Sequence, residues 1–127
     1  MISRLLHTRY RVDDLEKMAQ FMTGVLGLKE VSRHTSARGS TLAFFKAPQS
    51  EETIEICHFP ASGPVKVQPD LTHIAFEVDD IDAFAKETAA KGYPFSDGPS
   101  APGGSGSRIG FIDGPEGYEF EFIQKKK

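Results

Sequence analysis

The sequence predicts an α+β protein built from two tandem βαβββ modules. The first observation behind this is an internal repeat. At an offset of 66 residues His7 falls on His73, Glu55 on Glu121, and Val12-Asp13-Asp14-Leu15 on Val78-Asp79-Asp80-Ile81. Phe45 and Phe111 coincide at the same offset, so the register reads as gapless. The second is a switch of hydrophobic period within each copy, from strand alternation to helical spacing and back. The third is the placement of the rare residues. Each copy keeps one imidazole near its start and one carboxylate near its end, and two of each make a nitrogen and oxygen shell suited to a divalent transition metal.

Each copy opens on a strand. From Leu5 to Val12 the even positions Leu6, Tyr10 and Val12 are apolar, with Thr8 among them, while His7, Arg9 and Arg11 take the odd positions. His7 therefore belongs to the face opposite the apolar one. In the second copy Ile74, Phe76 and Val78 form the apolar face, and His73, Ala75 and Glu77 the other. An aspartate pair follows each strand, placed to cap a helix and to set negative charge at its positive end. Met18, Phe21, Met22, Val25 and Leu26 then recur at helical spacing before Gly27, as do Ile81, Phe84, Ala85, Thr88 and Ala89 before Gly92. Both stripes are core, with the apolar sheet face as their partner.

Three more strands are expected in each copy: Lys29 to Arg33, Thr41 to Lys46 and Thr53 to His58 in the first, and Tyr93 to Phe95, Arg108 to Ile112 and Tyr118 to Gln124 in the second. In the last of each set, Ile54 and Ile56, or Phe120 and Phe122, alternate with Glu55 or Glu121. The carboxylates thus share the non-helix face with the histidines. Module one covers 4–59, a linker with three prolines and a glycine covers 60–70, and module two covers 71–124, within one domain of 1–127.

With 127 residues and 39% hydrophobic content, the chain has enough apolar surface for one shared core and little for two independent ones. The copies are expected to lean on each other or on a second chain, in a homodimer. A net charge of -3 provides no general attraction to nucleic acid, and Lys125-Lys126-Lys127 reads as a solvated tail. Cys57 is the sole cysteine, which excludes an intrachain disulfide and fits a reducing compartment. No cleavable signal or spanning apolar run of about 20 residues is present. A cytoplasmic protein with a small-molecule substrate, and with neither nucleic acid nor membrane as partner, is the expectation.

The remaining features carry less chemistry. Cys57 and His58 are neighbours, so their side chains leave a strand on opposite faces and form no nucleophile-base dyad; Cys57 reads as an inert small residue. His34 sits in a polar hairpin and is expected in solvent. The stretch from Asp97 to Ser107, with Gly98, Gly103, Gly104 and Gly106, lacks the lysine of a phosphate-binding loop and reads as a mobile loop. A lone histidine or glutamate on a strand is ordinarily structural or solvated. Four at one offset and on one face are different, because folding has no need of buried carboxylates that cost several kcal/mol without a cation or hydrogen-bond donors.

The sequence resembles the vicinal oxygen chelate superfamily, whose glyoxalase/bleomycin resistance/dioxygenase fold implies paired modules forming curled mixed sheets around a metal cleft, and within it glyoxalase I (lactoylglutathione lyase) of the short bacterial type. The residues that carry the resemblance are Leu5-Leu6-His7-Thr8 with Arg11-Val12 and Asp14-Leu15; Phe21 through Val25-Leu26-Gly27-Leu28; Leu42-Ala43-Phe44; Ile54-Glu55-Ile56; Thr72-His73-Ile74-Ala75; and Asp113-Gly114-Pro115-Glu116-Gly117-Tyr118 leading to Glu121. Glu55 discriminates most, since many members use a His, His, Glu set whereas His, Glu, His, Glu resembles glyoxalase I. The resemblance implies that His7, Glu55, His73 and Glu121 ligate one divalent ion per site, with nickel or cobalt favoured and zinc or manganese as alternatives. It implies isomerisation of the hemithioacetal of methylglyoxal and a thiol, glutathione first, to the 2-hydroxyacyl thioester. Glu121 is the implied base and Glu55 its symmetric counterpart.

The sequence departs from glyoxalase I where glutathione is held. An asparagine expected shortly after Glu55 is replaced by the region Cys57 to Phe59, and a lysine expected beside the paired glycines by Ala101-Pro102. Arg9, Arg11 and Arg108 are then the candidates to receive the thiol's carboxylates. Two alternatives stay open: another epimerase or lyase of the superfamily with a different substrate, and a non-catalytic drug-sequestering dimer of the bleomycin-resistance type.

Overall fold

The computed structural model describes residues 1–126; Lys127, the end of the expected lysine tail, lies outside the described residues. The chain divides into two compact units, Met1–Val65 and Lys66–Lys127. Each is a mixed sheet with one helix.

The first unit runs β1 (His7–Arg11), α1 (Leu15–Gln20), β2 (Lys29–Thr35), β3 (Thr41–Lys46) and β4 (Thr53–His58). Its sheet has the order β1-β4-β3-β2, with β1 parallel to β4 and the other pairs antiparallel. Asp14 caps α1 by accepting from the Lys17 amide at 3.0 Å, as the aspartate pair predicts. The helix continues through a π-helical turn, Phe21–Val25, and stops at Gly27, whose φ of 73° is the left-handed conformation a side chain would resist. Met18, Phe21 and Met22 from the helical stripe meet Val12, Phe45 and Ile56 from the sheet, all at most 2% exposed. Leu6 does not join them. It is 66% exposed, because β1 enters the sheet only at its His7 end and Leu6 contributes a carbonyl, accepting from the Thr53 amide at 3.0 Å.

The second unit runs β5 (His73–Glu77), α2 (Ile81–Ala90), β6 (Arg108–Asp113) and β7 (Glu119–Gln124), in the sheet order β5-β7-β6. Again the first and last strands are parallel and the last two antiparallel. Asp80 caps α2 through the Ala83 amide at 3.1 Å. Ile81 and Thr88 are fully buried, Phe84 and Ala85 half-buried, and Ala89, expected in the core stripe, is exposed.

The described residues therefore form an α+β fold with two α-helices and seven strands, one strand fewer than two complete βαβββ modules require. The missing strand is Tyr93 to Phe95. Pro94 has no amide hydrogen for a ladder, and Phe95 serves packing instead: its ring lies 5.6 Å from that of Phe122 and 6.2 Å from that of Phe84. Towards β6, Ser96 and Asp97 exchange backbone hydrogen bonds with Phe111, and the Ser100 amide donates to the Ile109 carbonyl at 2.8 Å.

The internal repeat also shifts once. His7 with His73 and Glu55 with Glu121 keep the offset of 66, but Phe44 lies opposite Glu55 where Phe111 lies opposite Glu121. The loop from β3 to β4 is one residue longer than that from β6 to β7. Because side chains alternate, Phe45 is buried on the helix face and Phe111 stands on the other. Phe44 is the true counterpart of Phe111.

Gly110 gives this packing a direct test, since a Cβ there would stand 2.4 Å from the Phe95 ring. Gly110→Ala is expected to lower stability by about 1–3 kcal/mol in urea unfolding. Gly104, with nothing within 4 Å of its added Cβ, should tolerate alanine within about 0.5 kcal/mol. Equal effects at the two positions would contradict the packing role given to Phe95.

Candidate metal centre

The strand register builds the same pair twice. In the parallel ladder of β1 and β4, His7 lies opposite Thr53 and Arg9 opposite Glu55, so His7 and Glu55 are diagonal neighbours on one face. In that of β5 and β7, His73 lies opposite Glu119 and Ala75 opposite Glu121, which repeats the diagonal. The helix takes the other face of each sheet. The two side chains in each pair accordingly meet: His7 Nε2 is 3.5 Å from Glu55 Oε2, and His73 Nε2 is 3.1 Å from Glu121 Oε1. Each unit joins its own His with its own Glu, and within a unit no third His, Cys, Asp or Glu among the described residues completes a metal-binding group.

An aromatic ring supports each imidazole. Phe44 meets His7 edge-on at 5.4 Å and 85°, and Phe111 meets His73 at 5.9 Å and 87°. Such T-shaped contacts orient a ring as well as burying it. Phe44 was hidden in the sequence by the one-residue shift of the repeat; counting outward from the shorter loop before Glu121 and the longer one before Glu55 would have found it. His34 is exposed, as expected, and stacks on Phe44 at 6.0 Å and 14°.

The two carboxylates differ in surroundings. The Glu55 side chain is 3% exposed, and the Arg9 Nε donates to its Oε1, which raises the Arg9 guanidinium further above its ordinary value. The Glu121 side chain is 16% exposed, and Ala75 across from it brings no charge. Cys57 lies two residues beyond Glu55 and is buried; loss of water pushes its thiol up, with Arg9 opposing and Glu55 adding to the effect. It is therefore a packed thiol. His58 turns away, its Nδ1 3.2 Å from the Val12 carbonyl oxygen, and the absence of a dyad with Cys57 follows.

The three arginines are all engaged. Arg9 holds Glu55, and Arg11 Nη1 donates to the Gly63 carbonyl at 2.6 Å. Arg108 points to the helix side of its sheet, where Nη1 and Nη2 donate to Asp82 at 2.7 and 3.0 Å and Nε donates to the Ser100 carbonyl at 2.8 Å. Asp82 is held below the ordinary carboxylate range by that guanidinium.

The pairs suit a divalent cation. With bonds of about 2.1 Å, two adjacent ligands of one ion lie about 3 Å apart, close to the separation in each pair. Neutral imidazole and carboxylate are also donors that nickel, cobalt, zinc and manganese all accept. Each unit offers one imidazole and one carboxylate.

Along residues 4–122 the sequence matches the Glyoxalase/Bleomycin resistance protein/Dioxygenase superfamily. The chain belongs to this superfamily. This member is 36% identical to the lactoylglutathione lyase of Neisseria meningitidis serogroup A, over 97% of its own length and 91% of that relative. It is 30% identical to a lactoylglutathione lyase of Arabidopsis thaliana over 96% of its length, but spans only 44% of that plant protein. Among solved structures, the trypanothione-dependent glyoxalase I of Leishmania major matches with a TM-score of 0.80 at 26% identity, covering 97% of this chain and 87% of that one. In sequence and fold the superfamily member is glyoxalase I-like.

The raised Cys57 thiol generates a simple expectation. Because its folded value lies above that of a free thiol, the reactive thiolate is scarcer at any given pH and burial restricts access to it. Iodoacetamide at pH 8 should label Cys57 at least ten times more slowly in the folded protein than in urea, as followed by mass spectrometry. Equal labelling rates would show that Cys57 is neither buried nor raised.

Proposed function

We propose that this protein is a metal-dependent lyase of glyoxalase I type that isomerises the hemithioacetal of methylglyoxal and a thiol, glutathione first, to the 2-hydroxyacyl thioester. The observation that carries the reading is the duplicated His–Glu diagonal, 3.5 Å in one unit and 3.1 Å in the other. Its relatives of similar length are called lactoylglutathione lyases, which supports the same reaction. His7, Glu55, His73 and Glu121 would hold one divalent ion, nickel or cobalt before zinc or manganese. Bound there, the ion supplies charge stabilisation to the substrate oxygen next to the reacting carbon.

The chain's own residues do the remaining work. Glu121 takes the proton from the C–H carbon and returns it to the adjacent carbon, with the uncharged Ala75 across the ladder where Glu55 has Arg9. Glu55, its counterpart across the repeat, is the more firmly held of the two. His7 and His73, braced by Phe44 and Phe111, keep their Nε2 atoms towards the carboxylates. Among the arginines expected to receive the thiol's carboxylates, Arg9 and Arg11 share the β1 face of His7, while Arg108 reaches a substrate only on release from Asp82. With added nickel or cobalt, thiol adducts of methylglyoxal should be converted, and Glu121→Gln should reduce kcat at least a hundredfold while the protein stays folded. Glu55→Ala should lower metal affinity and activity together. Failure of the metal-loaded protein both to convert glutathione and other thiol adducts and to exchange the substrate C–H proton with solvent would sink this reading.

The assembly we infer is a homodimer, acting in the cytoplasm, with first and second modules of different chains completing each ligand set. Repeat-equivalent Leu5 and Leu71, each two residues before a ligand histidine, are 63% and 65% exposed, which fits a face that a second copy covers. Among the described residues no helix is long and apolar enough to cross a membrane. Mixing His7→Ala and His73→Ala chains should restore activity to about a quarter to a half of wild type, through dimers that regain one intact site. No recovery despite heterodimers proven by mass spectrometry would instead place complete sites within single chains.

A further inference from the structure

The two halves of the chain differ at the position across from the candidate carboxylate ligand. Across from Glu55 in the parallel ladder stands Arg9; across from Glu121 stands Ala75. The Arg9 Nε donates to Glu55 Oε1, while Oε2 of the same carboxylate faces His7 Nε2 at 3.5 Å. Glu55 therefore has a positive group inside its own ligand set. Its side chain is 3% exposed, whereas that of Arg9 is 56% exposed. The carboxylate is fixed in place, and the guanidinium has solvent to move into.

Resting on the metal reading above, we propose that Arg9 is a positioning residue that competes with the divalent ion for Glu55 and is displaced from it when the ion binds. The physical reasons are direct. A buried carboxylate without a partner is costly, so Arg9 partners Glu55 and holds its position while no ion is bound. A guanidinium and a divalent cation at one carboxylate repel each other, and only Arg9 has room to leave. The ion must therefore break an existing charge-assisted hydrogen bond, which lowers the apparent affinity of the whole site. Since Ala75 imposes no such competition, the effect is confined to the half that contains Glu55. Arginine release also leaves a free guanidinium on the face that carries His7, available to an anionic substrate only after the ion is in place.

The test uses metal-free full-length protein titrated with nickel by calorimetry. Arg9→Ala, which copies the second module, should bind nickel at least ten times more tightly than wild type, whereas Arg9→Lys should stay within about threefold of wild type. The metal-free Arg9→Ala protein should also melt at a lower temperature than wild type, and nickel should reverse the difference. As a readout independent of that variant's folding, the Arg9 Nε–H resonance of wild type should move to a solvent-like position at saturating zinc. Unchanged or weaker nickel affinity in folded Arg9→Ala, or an Nε–H resonance unmoved by saturating zinc, overturns the role of Arg9 while leaving the ligand assignment standing. If neither wild type nor variant binds nickel, cobalt or zinc, the metal reading fails and this inference with it.

Discussion

The parallel pairing of β1 with β4, and of β5 with β7, sets an imidazole diagonally beside a carboxylate on the face that the helix leaves uncovered. Both sheets obey the same division. Alternation along the strands sends Val12, Phe45 and Ile56, or Ile112, Phe120 and Phe122, towards the helix, and it sends the ligand candidates the other way. Packing thereby determines chemistry, because a slip of one residue in any of these strands would exchange a core side chain for a ligand. The capped helices, Gly27 and the turn from Gly114 to Tyr118 serve that register by fixing where each strand begins.

Duplication sets up two equivalent His–Glu pairs, and later differences make them unequal. His7 and His73 have the same aromatic brace and the same diagonal partner. Arg9 and Ala75 separate them. One carboxylate is buried and paired with Arg9; the other is partly open and has Ala75 across from it. A reaction that needs one carboxylate to stay and one to take up a proton is served by that inequality, with the same ligand chemistry on both sides.

Much of this was legible in the sequence because it follows from periodicity. The faces of β1, β4, β5 and β7, both helix stripes, the aspartate caps and the four ligand candidates all come from alternation, helical spacing and one repeat offset. The exceptions have separate physical causes. Tyr93 to Phe95 has strand-like composition, but Pro94 lacks a ladder donor and the space above Gly110 draws the Phe95 ring into the core. Phe44 was obscured by a single extra loop residue, since offsets in sequence do not register a shift that is later compensated. The arginines were visible as charges, yet their partners were not: Asp82 and Gly63 are brought to Arg108 and Arg11 by tertiary structure alone.

The central claim is that the two His–Glu pairs complete one divalent-metal shell. X-ray absorption spectroscopy of the nickel-loaded protein addresses it most directly, because it reads donor type and number at the ion itself. The account predicts about six nitrogen and oxygen donors with the outer-shell scattering of two imidazoles, falling to one imidazole in either His7→Ala or His73→Ala. A sulfur donor, or an imidazole count unchanged by both substitutions, would contradict it.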